Sequence, residues 1–469
     1  MKRTKILATY GPAIARTAIL KDLVSSGVNA FRINCSHGRT NDFLVAARTI
    51  KAAAKGARWP IGLLFDISGP KLRLDRFEGK LDVARGTKIT LRYGKTDLAK
   101  GIIGVNHKAV IGAVRKGHRL FVDDGNIMFD VLTADKGRVE LKAQNPGVLL
   151  GGKGINLPDT RLPIATIGPK DREDIKTAVR VDADYIALSF VRSAADIVET
   201  RKLVKKLGGR QLIIAKLEKK EAIEHLEEIV KLADGVMVAR GDLGVELPPA
   251  EIPKLQKRII KLANYHQKPV IVATQMLESM RFSPRATRAE VNDVATAVFD
   301  LTDAVMLSAE TATGKYPLEA VKTMAQVCET TESGLTRPKV EFKKQGVNSD
   351  IPLAIAESVN QATDATDIRC IFAFTTSGFT AGLISNLYPL ELVIALTPDR
   401  KVMTELSLYR SVYAVRIDQP ASFEDTVSAV SSVAKKFKLA RRGDKVVITG
   451  GAPFGTTVYT NFMMIHKVS

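Results

Sequence analysis

The residues of this sequence best suited to chemistry are one lysine and two acids. Lys216 and Glu218 close the apolar run that starts at Leu212, and Asp242 stands just past the next apolar run, 235–239. Side chains alternate along a strand, so residues 216 and 218 project to one side, and a parallel neighbour ending near residue 240 would bring Asp242 beside them. Carboxylate oxygens hold a hard divalent cation, while an ammonium neutralises a phosphate or a developing oxyanion. Together they suit phosphoryl transfer. Taken alone, Lys216 and Glu218 fit a buried ion pair at a strand end equally well, so the elements that position them have to decide.

Eight short apolar runs qualify as strands: 5–9, 30–34, 62–66, 185–190, 212–217, 235–239, 269–274 and 304–307. Seven of the eight are bordered by helical periodicity, such as 222–232 and 319–329. Strand and helix alternating eight times predict an α/β fold, a TIM (β/α)8 barrel, with its chemistry on the loops at the carboxyl ends of the strands. Polar residues cluster at those ends. Arg32, Asn34 and Ser36 follow the second run, Asp66 the third, Glu218 the fifth, Asp242 the sixth, Thr274 the seventh, and Ser308 and Glu310 the eighth.

Between the third and fourth runs the pattern changes to glycine-rich, period-2 segments (88–91, 138–141) with turn signals at Asp124-Gly125 and Lys136-Gly137. This predicts a small β-barrel domain, 69–164, inserted into one loop of a barrel made of 1–68 and 165–335. Such an insertion overhangs the active face and can act as a lid. After a polar stretch around 332–350, strands at 371–375, 392–396, 412–415 and 445–449 alternate with helices, which predicts a C-terminal α/β domain over 350–469.

The formal net charge of the 469 residues is +20. Its lysines and arginines are spread over amphipathic stretches such as 202–206. They are not gathered in a tail or an aromatic-interleaved patch, so they read as solvated helix faces and argue against a nucleic-acid partner. There is no run of 18 uncharged apolar residues and no signal-peptide core at the N-terminus, so a cytoplasmic protein without a membrane span is expected. Cys35, Cys328 and Cys370 lie far apart, without the spacing of a disulfide framework or a zinc site.

The segments Thr9-Tyr10-Gly11-Pro12-Ala13, 32–38 (RINCSHG), 69–73 (GPKLR), 122–125 (VDDG) and 153–158 (KGINLP) come first. After them stand Lys216-Leu217-Glu218, 237–246 (MVARGDLGVE), 273–280 (ATQMLESM), 284–290 (PRATRAE) and 306–312 (MLSAETA). In this order, over nearly the whole chain, they resemble the pyruvate kinase family.

The resemblance implies transfer of the phosphoryl group of phosphoenolpyruvate to ADP, giving pyruvate and ATP, by a homotetramer. It implies magnesium or manganese on Glu218 and Asp242, Lys216 against the moving phosphoryl group, and Arg32 and Arg73 on phosphates. Asn34, His37 and Lys153 resemble nucleotide contacts, and Asp124 either touches the metal-nucleotide or is a plain turn residue. Gly241 and Thr274 resemble contacts to the substrate carboxylate. Thr274, Ser308 and Glu310 resemble the proton-delivery network, with Thr274 preferred as the proton donor.

Asn34, Ser36, Asp66 and the carbonyl of Ile67 match a potassium site, yet Lys71 stands where potassium-requiring members typically carry glutamate. An ammonium there supplies the same charge and repels a second cation. The expectation is that Lys71 replaces potassium; the rival is that it faces solvent and potassium still binds.

In the last domain Thr375, Ser377, Gly378 and Thr380 resemble a phosphate-binding loop for a sugar-phosphate or nucleotide effector, with an empty strand-to-helix turn as the rival. Neither an N-terminal extension nor an appended phosphohistidine-type domain is expected. Two other classes stay open: a barrel aldolase acting on pyruvate-like acids, which has no need of Arg73 or the insertion, and a basic nucleic-acid-binding protein on an enzyme-derived scaffold.

Overall fold

The structure is a computed structural model that describes residues 1–135, 137–338, 350–453 and 459–468. Eight parallel strands, Lys5–Thr9, Ala30–Asn34, Gly62–Ile67, Tyr185–Leu188, Leu212–Leu217, Gly235–Ala239, Val270–Ala273 and Ala304–Leu307, form a closed barrel. Each strand pairs with its neighbours in sequence, and the first pairs with the eighth.

The runs are apolar without alternation because both of their faces are buried. One set of side chains, including Leu7, Leu64, Tyr185, Ile214, Met237, Ile271 and Met306, packs in one cluster as the barrel interior. The alternate set, including Ile6, Phe31, Phe65, Ile213, Val238 and Leu307, packs in another cluster with the surrounding helices.

Three expected boundaries shift for local reasons. The fourth strand stops at Leu188 because Phe190 turns into the left-handed region (φ 54°), where its N–H donates to Glu218 Oε2 at 2.7 Å. The seventh stops at Ala273 because Thr274 and Gln275 both have positive φ, 71° and 54°. The expected helix 222–232 is two helices, Lys220–Glu224 and Leu226–Leu232, with His225 between them.

Between the third and fourth barrel strands lies a six-stranded sheet built from Lys88–Tyr93, Ile102–Val105, Arg119–Val122, Ile127–Asp135, Arg138–Ala143 and Ile155–Asn156. With the two-stranded ribbon Lys80–Val83 and Gly147–Leu150 it surrounds one core, including Leu91, Leu120, Phe129, Leu141 and Leu149. The Asp124-Gly125 turn has positive φ at both residues, whereas Lys136 of the second turn signal lies outside the described residues. The outgoing connection is pinned where Asp171 Oδ1 accepts from Ser68 Oγ and from the Gly69 N–H, both at 3.1 Å. Arg192 pins the return by donating to the carbonyls of Leu162 and Ile164 at 2.9 and 2.6 Å.

Of the polar stretch around 332–350, residues 339–349 lie outside the described residues. The helix Asp350–Ala365 then leads into a five-stranded sheet. Ile368–Phe374, Leu392–Thr397, Val412–Arg416 and Lys445–Gly450 are parallel, and Phe462–Lys467 adds an antiparallel edge that the sequence reading lacked. This domain is seated on the amino-terminal floor of the barrel. Leu408 joins the interior cluster, Lys5 Nζ donates to the Val412 carbonyl at 2.6 Å, and Lys401 Nζ lies 2.9 Å from both Asp182 and Asp184 carboxylates. A Cβ at Gly62 would come within 2.1 Å of Ser407 Oγ, so the serine side chain would have to move to admit one.

Candidate active site

The fifth barrel strand delivers Lys216 and Glu218 to the carboxyl-terminal face, and the register of its neighbours fixes their company. Lys216 Nζ lies 2.7 Å from Glu218 Oε1 and 3.1 Å from Asp66 Oδ1, and donates to Ser189 Oγ at 2.8 Å. Asp66 Oδ2 accepts from Arg32 Nε at 2.6 Å, and Arg32 Nη1 donates to Thr9 Oγ1 at 3.0 Å. Five strand ends thereby converge on two buried carboxylates and two cations.

Burial works against the charge of Lys216, but Asp66 and Glu218 outweigh it and hold its pKa above the ordinary lysine range. Burial likewise opposes ionisation of Asp66, yet Lys216 and Arg32 hold its pKa below the usual carboxylate range. Burial, assisted by Asp242, raises that of Glu218 against the pull of Lys216. The cluster is a charged site held by its own compensation.

Beside it opens a cleft of about 360 Å³ between barrel and insertion, lined among others by Lys71, Arg73, Asp124, Lys153 and Asp242. Lys71 lines this cleft and is partly buried. Burial comes first in lowering its pKa, followed by the neighbouring charges of Arg73 and Lys216, while Asp66 and Asp242 oppose the shift. His37 is also lowered, by burial and then by Lys71, Arg73 and Arg32. Lys71 and Arg73 line the cleft, and with Arg32 they lie close enough to His37 for their charges to act on it. Arg73 is anchored through Nη1 to the Gly152 carbonyl at 2.8 Å. Lys153 Nζ pairs with Asp123 Oδ1 at 2.8 Å, and that bond keeps the Asp123 carboxyl below its ordinary value.

Two of the four residues expected to hold potassium have their side-chain oxygens engaged within the chain. Asn34 Oδ1 accepts from the Ser36 N–H at 3.1 Å, and Asp66 serves Arg32 and Lys216. Asp242 differs: among the described residues its carboxylate has no hydrogen-bond or ion-pair partner, although it lines the cleft. No group of three or more His, Cys, Asp or Glu suited to a metal occurs among the described residues. Glu218 and Asp242 are two hard oxygen donors, which fits magnesium, an ion bound through one or two carboxylates and completed by substrate oxygens and water.

The last three strand ends form a second unit. Thr274 Oγ1 accepts from the Gly241 N–H at 2.8 Å and donates to the Ala273 carbonyl at 2.6 Å, so these two expected carboxylate contacts bond each other here. A β-branched residue at positive φ is strained, and such strain clusters at functional sites.

Arg240, which the sequence reading missed although it directly follows a strand, locks this turn. Its guanidinium donates to the Thr274 carbonyl at 2.7 Å and to Asp293 Oδ1 at 2.6 Å. Ser189, which the apolar run 185–190 places inside a strand, instead lies just past the strand end and accepts from Lys216 Nζ. Glu310 is buried and clamps two loops, accepting from the N–H groups of Leu277 at 3.1 Å and Ser308 at 2.7 Å. Ser308 Oγ has no hydrogen-bond partner among the described residues.

In the C-terminal domain Thr375 Oγ1 accepts from the Gly378 N–H at 2.9 Å, and Gly378 has a φ of 86°. Ser377 Oγ accepts from the Phe379 N–H at 3.4 Å, and Thr380 Oγ1 pairs with Thr460 Oγ1 at 2.8 Å. The four residues are brought to one turn, with their hydroxyls bonded inside the protein.

Residues 1–321 match the family model described as pyruvate kinase, barrel domain, and residues 353–466 match that described as pyruvate kinase, alpha/beta domain. A pyruvate kinase of Agrobacterium vitis is 39% identical over 470 residues, covering 99% of this chain and 98% of that protein. One of Thermotoga maritima is 37% identical over 471 residues, covering all of both chains. The crystal structure of a pyruvate kinase from Cryptosporidium parvum superimposes with a TM-score of 0.93 at 32% identity, covering 100% of this chain and 96% of that one.

Proposed function

The chain belongs to the pyruvate kinase family, transferring the phosphoryl group of phosphoenolpyruvate to ADP with formation of pyruvate and ATP in glycolysis, and we propose that Lys216, Arg32, Glu218 and Asp242 carry that transfer. The observation that carries this reading is the buried Lys216–Asp66–Glu218 cluster beside a cleft where Asp242 has no hydrogen-bond or ion-pair partner among the described residues. Pyruvate kinases generally use magnesium; bound by Glu218 and Asp242, with manganese as its substitute, it supplies Lewis-acid stabilisation of developing negative charge.

Lys216 and Arg32 are held rigidly by carboxylates, so their charge is preorganised for the phosphoryl group and needs no rearrangement during transfer. Arg73, His37, Asn34 and Lys153 line the side by which the nucleotide enters, with Asp124 near it. Gly241 and Thr274 exchange their mutual hydrogen bond for the substrate carboxylate. Thr274 then presents its hydroxyl to the enolate carbon, while Glu310 and Ser308 keep the loop in place. The insertion closes over the cleft and excludes water.

Lys71 stands for potassium in this reading, supported by its position in the cleft and by the engagement of Asn34 and Asp66 elsewhere. Asn34, Ser36, Asp66 and the Ile67 carbonyl then hold no monovalent ion. The same reading assigns 1–68 and 165–335 to the catalytic barrel, 69–164 to the lid and 350–469 to the C-terminal domain. It makes the assembly a cytoplasmic homotetramer, and Thr375, Ser377, Gly378 and Thr380 the floor of a sugar-phosphate or nucleotide effector site. Among the described residues no helix is long and apolar enough to cross a membrane.

Steady-state assay of pyruvate formation tests the reading. Activity should require ADP and a divalent cation, and it should be nearly the same in tetramethylammonium and potassium buffers. Strong potassium activation would remove Lys71 from its assigned role, and pyruvate formation without ADP would remove the phosphoryl-transfer assignment.

A further inference from the structure

The register of the fifth and sixth barrel strands ends at Leu217 opposite Val238, and the two acids assigned to magnesium, Glu218 and Asp242, stand on the connections that follow. Glu218 is fixed by Lys216 Nζ and by the Phe190 N–H, each at 2.7 Å. Asp242 has no bond of its own among the described residues and takes its place from the helix Arg240–Glu246 that carries it. Like charges placed to share one cation repel each other in its absence, so their spacing has to be imposed by other groups.

One ion pair joins the two connections. Lys219, which directly follows Glu218, places Nζ 2.5 Å from Glu246 Oε1. Glu246 lies one helical turn beyond Asp242, on the same face of its helix. The Glu246 side chain is 2% exposed and that of Lys219 19%. An exposed pair orders little, whereas a carboxylate out of water is bound to its partner because an unpaired charge there is costly. Behind the pair Leu243 packs in one cluster with Ile223, a contact without directional preference. The ion pair supplies the direction. It also faces the reaction, since Lys219 lines the cleft with Asp242, and Asn156 of the insertion donates to the same Glu246 oxygen at 3.4 Å.

We propose that Lys219 and Glu246 are positioning residues for the divalent cation of the transfer reaction, setting the spacing of Glu218 and Asp242 and with it the affinity of the site. This rests on the assignment of those two acids as the metal ligands. The side chains of Lys219 and Glu246 are engaged with each other, so they act through Glu218 and Asp242 and not as ligands themselves. Groups that orient a metal's ligands commonly change its affinity by about 10–100-fold when removed. Glu246 also neutralises an ammonium that adjoins Glu218 and would otherwise compete with the cation.

Manganese is the probe, its binding to the substrate-free full-length protein followed by loss of the paramagnetic resonance signal of free Mn2+. Lys219→Met and, as an independent second variant, Glu246→Gln should each weaken binding by about tenfold, and Lys219→Arg, which keeps the pair, by less than about threefold. The double variant Lys219→Met/Glu246→Gln balances the charge without restoring the tie and should stay about tenfold weaker than wild type. A pair that only stabilises the fold would lower the melting temperature and leave Mn2+ affinity unchanged. The proposal is overturned if Mn2+ affinity stays within about twofold of wild type in whichever of the two single variants fold, if the double variant regains wild-type affinity, or if Lys219→Arg is as weak as Lys219→Met. Asp242→Asn separates the two levels of the reasoning. It should abolish Mn2+ binding, and wild-type affinity there would overturn the ligand assignment and this proposal with it.

Discussion

Glu310 separates two accounts of the site. Proton delivery makes it a titrating participant, whereas its geometry makes it a clamp between the seventh and eighth strand ends. Glu310→Gln keeps the shape and one acceptor, but it turns an amide NH2 toward either Leu277 N–H or Ser308 N–H, now 3.1 and 2.7 Å from carboxylate oxygens. One charge-assisted hydrogen bond is lost, about 1.5–3 kcal/mol, and a stranded N–H adds about 1–3 kcal/mol. Burial raises the pKa of this carboxyl, so neutralising it returns part of the desolvation cost. The net expectation is a loss of about 2–4 kcal/mol.

Thermal unfolding and steady-state kinetics across pH, run on the same preparations, decide the matter. The clamp predicts a melting temperature lower by several degrees, a higher KM for phosphoenolpyruvate and a lower kcat, with the shape of the pH profile preserved. Unchanged stability together with the disappearance of one arm of the kcat profile would refute the clamp and make Glu310 a proton-transfer residue.

Lys216→Met leaves Asp66 and Glu218 adjacent and buried without their common cation, so kcat should drop by about 10²–10³ with a smaller change in phosphoenolpyruvate affinity, read by single-turnover and equilibrium binding; equal losses in both would contradict the assignment. Gly69→Ala meets a φ of 63° and a Cβ 2.9 Å from Phe190 Cδ2, so urea titration should find about 1–2 kcal/mol less stability, and wild-type stability would show that this position does not need glycine. Asp303, at the barrel floor, is pushed up to about 6 by burial, against the N–H groups of Val270 and Arg410 that favour its anion. Between an unfolded pKa of about 3.9 and that value the folded state holds a proton the unfolded chain lacks. This contribution, about 3 kcal/mol, is therefore present at low pH and lost as pH rises through about 6. Relative to Asp303→Asn, the wild-type protein should gain stability as pH falls from about 7.5 to about 5, and a pH-independent difference would show that Asp303 does not titrate in this window.

The barrel was legible because its strands are buried on both faces and therefore appear as uninterrupted apolar runs with polar residues at one end. The same rule found Lys216, Glu218 and Asp242 without any structural input. It failed where tertiary bonds override local pattern. Ser189 and Phe190 continue an apolar run, yet Glu218 captures the Phe190 N–H and turns the chain out of the strand. Thr274 sits at positive φ, which a β-branched residue does not announce, and Arg240 holds it there from another strand end. The edge strand Phe462–Lys467 escaped notice because it is half exposed and follows turn residues, and nothing in its own composition fixes its antiparallel pairing with Lys445–Gly450.

The position of Lys71 also changes how charge and motion are related in this site. An exchangeable cation is held by the barrel and is indifferent to where the insertion stands. Lys71 lies two residues beyond Gly69, where the chain leaves the barrel under the hold of Asp171, and its ammonium acts on Lys216, Asp66 and Asp242. Its charge costs no association entropy, but it is tied covalently to the outgoing connection of the lid. Any displacement of that connection moves a positive charge relative to Lys216, across a cleft whose low-dielectric walls amplify the effect. On the proposed reading of Lys71, therefore, the electrostatic setting of the cleft is tied to the backbone around Gly69.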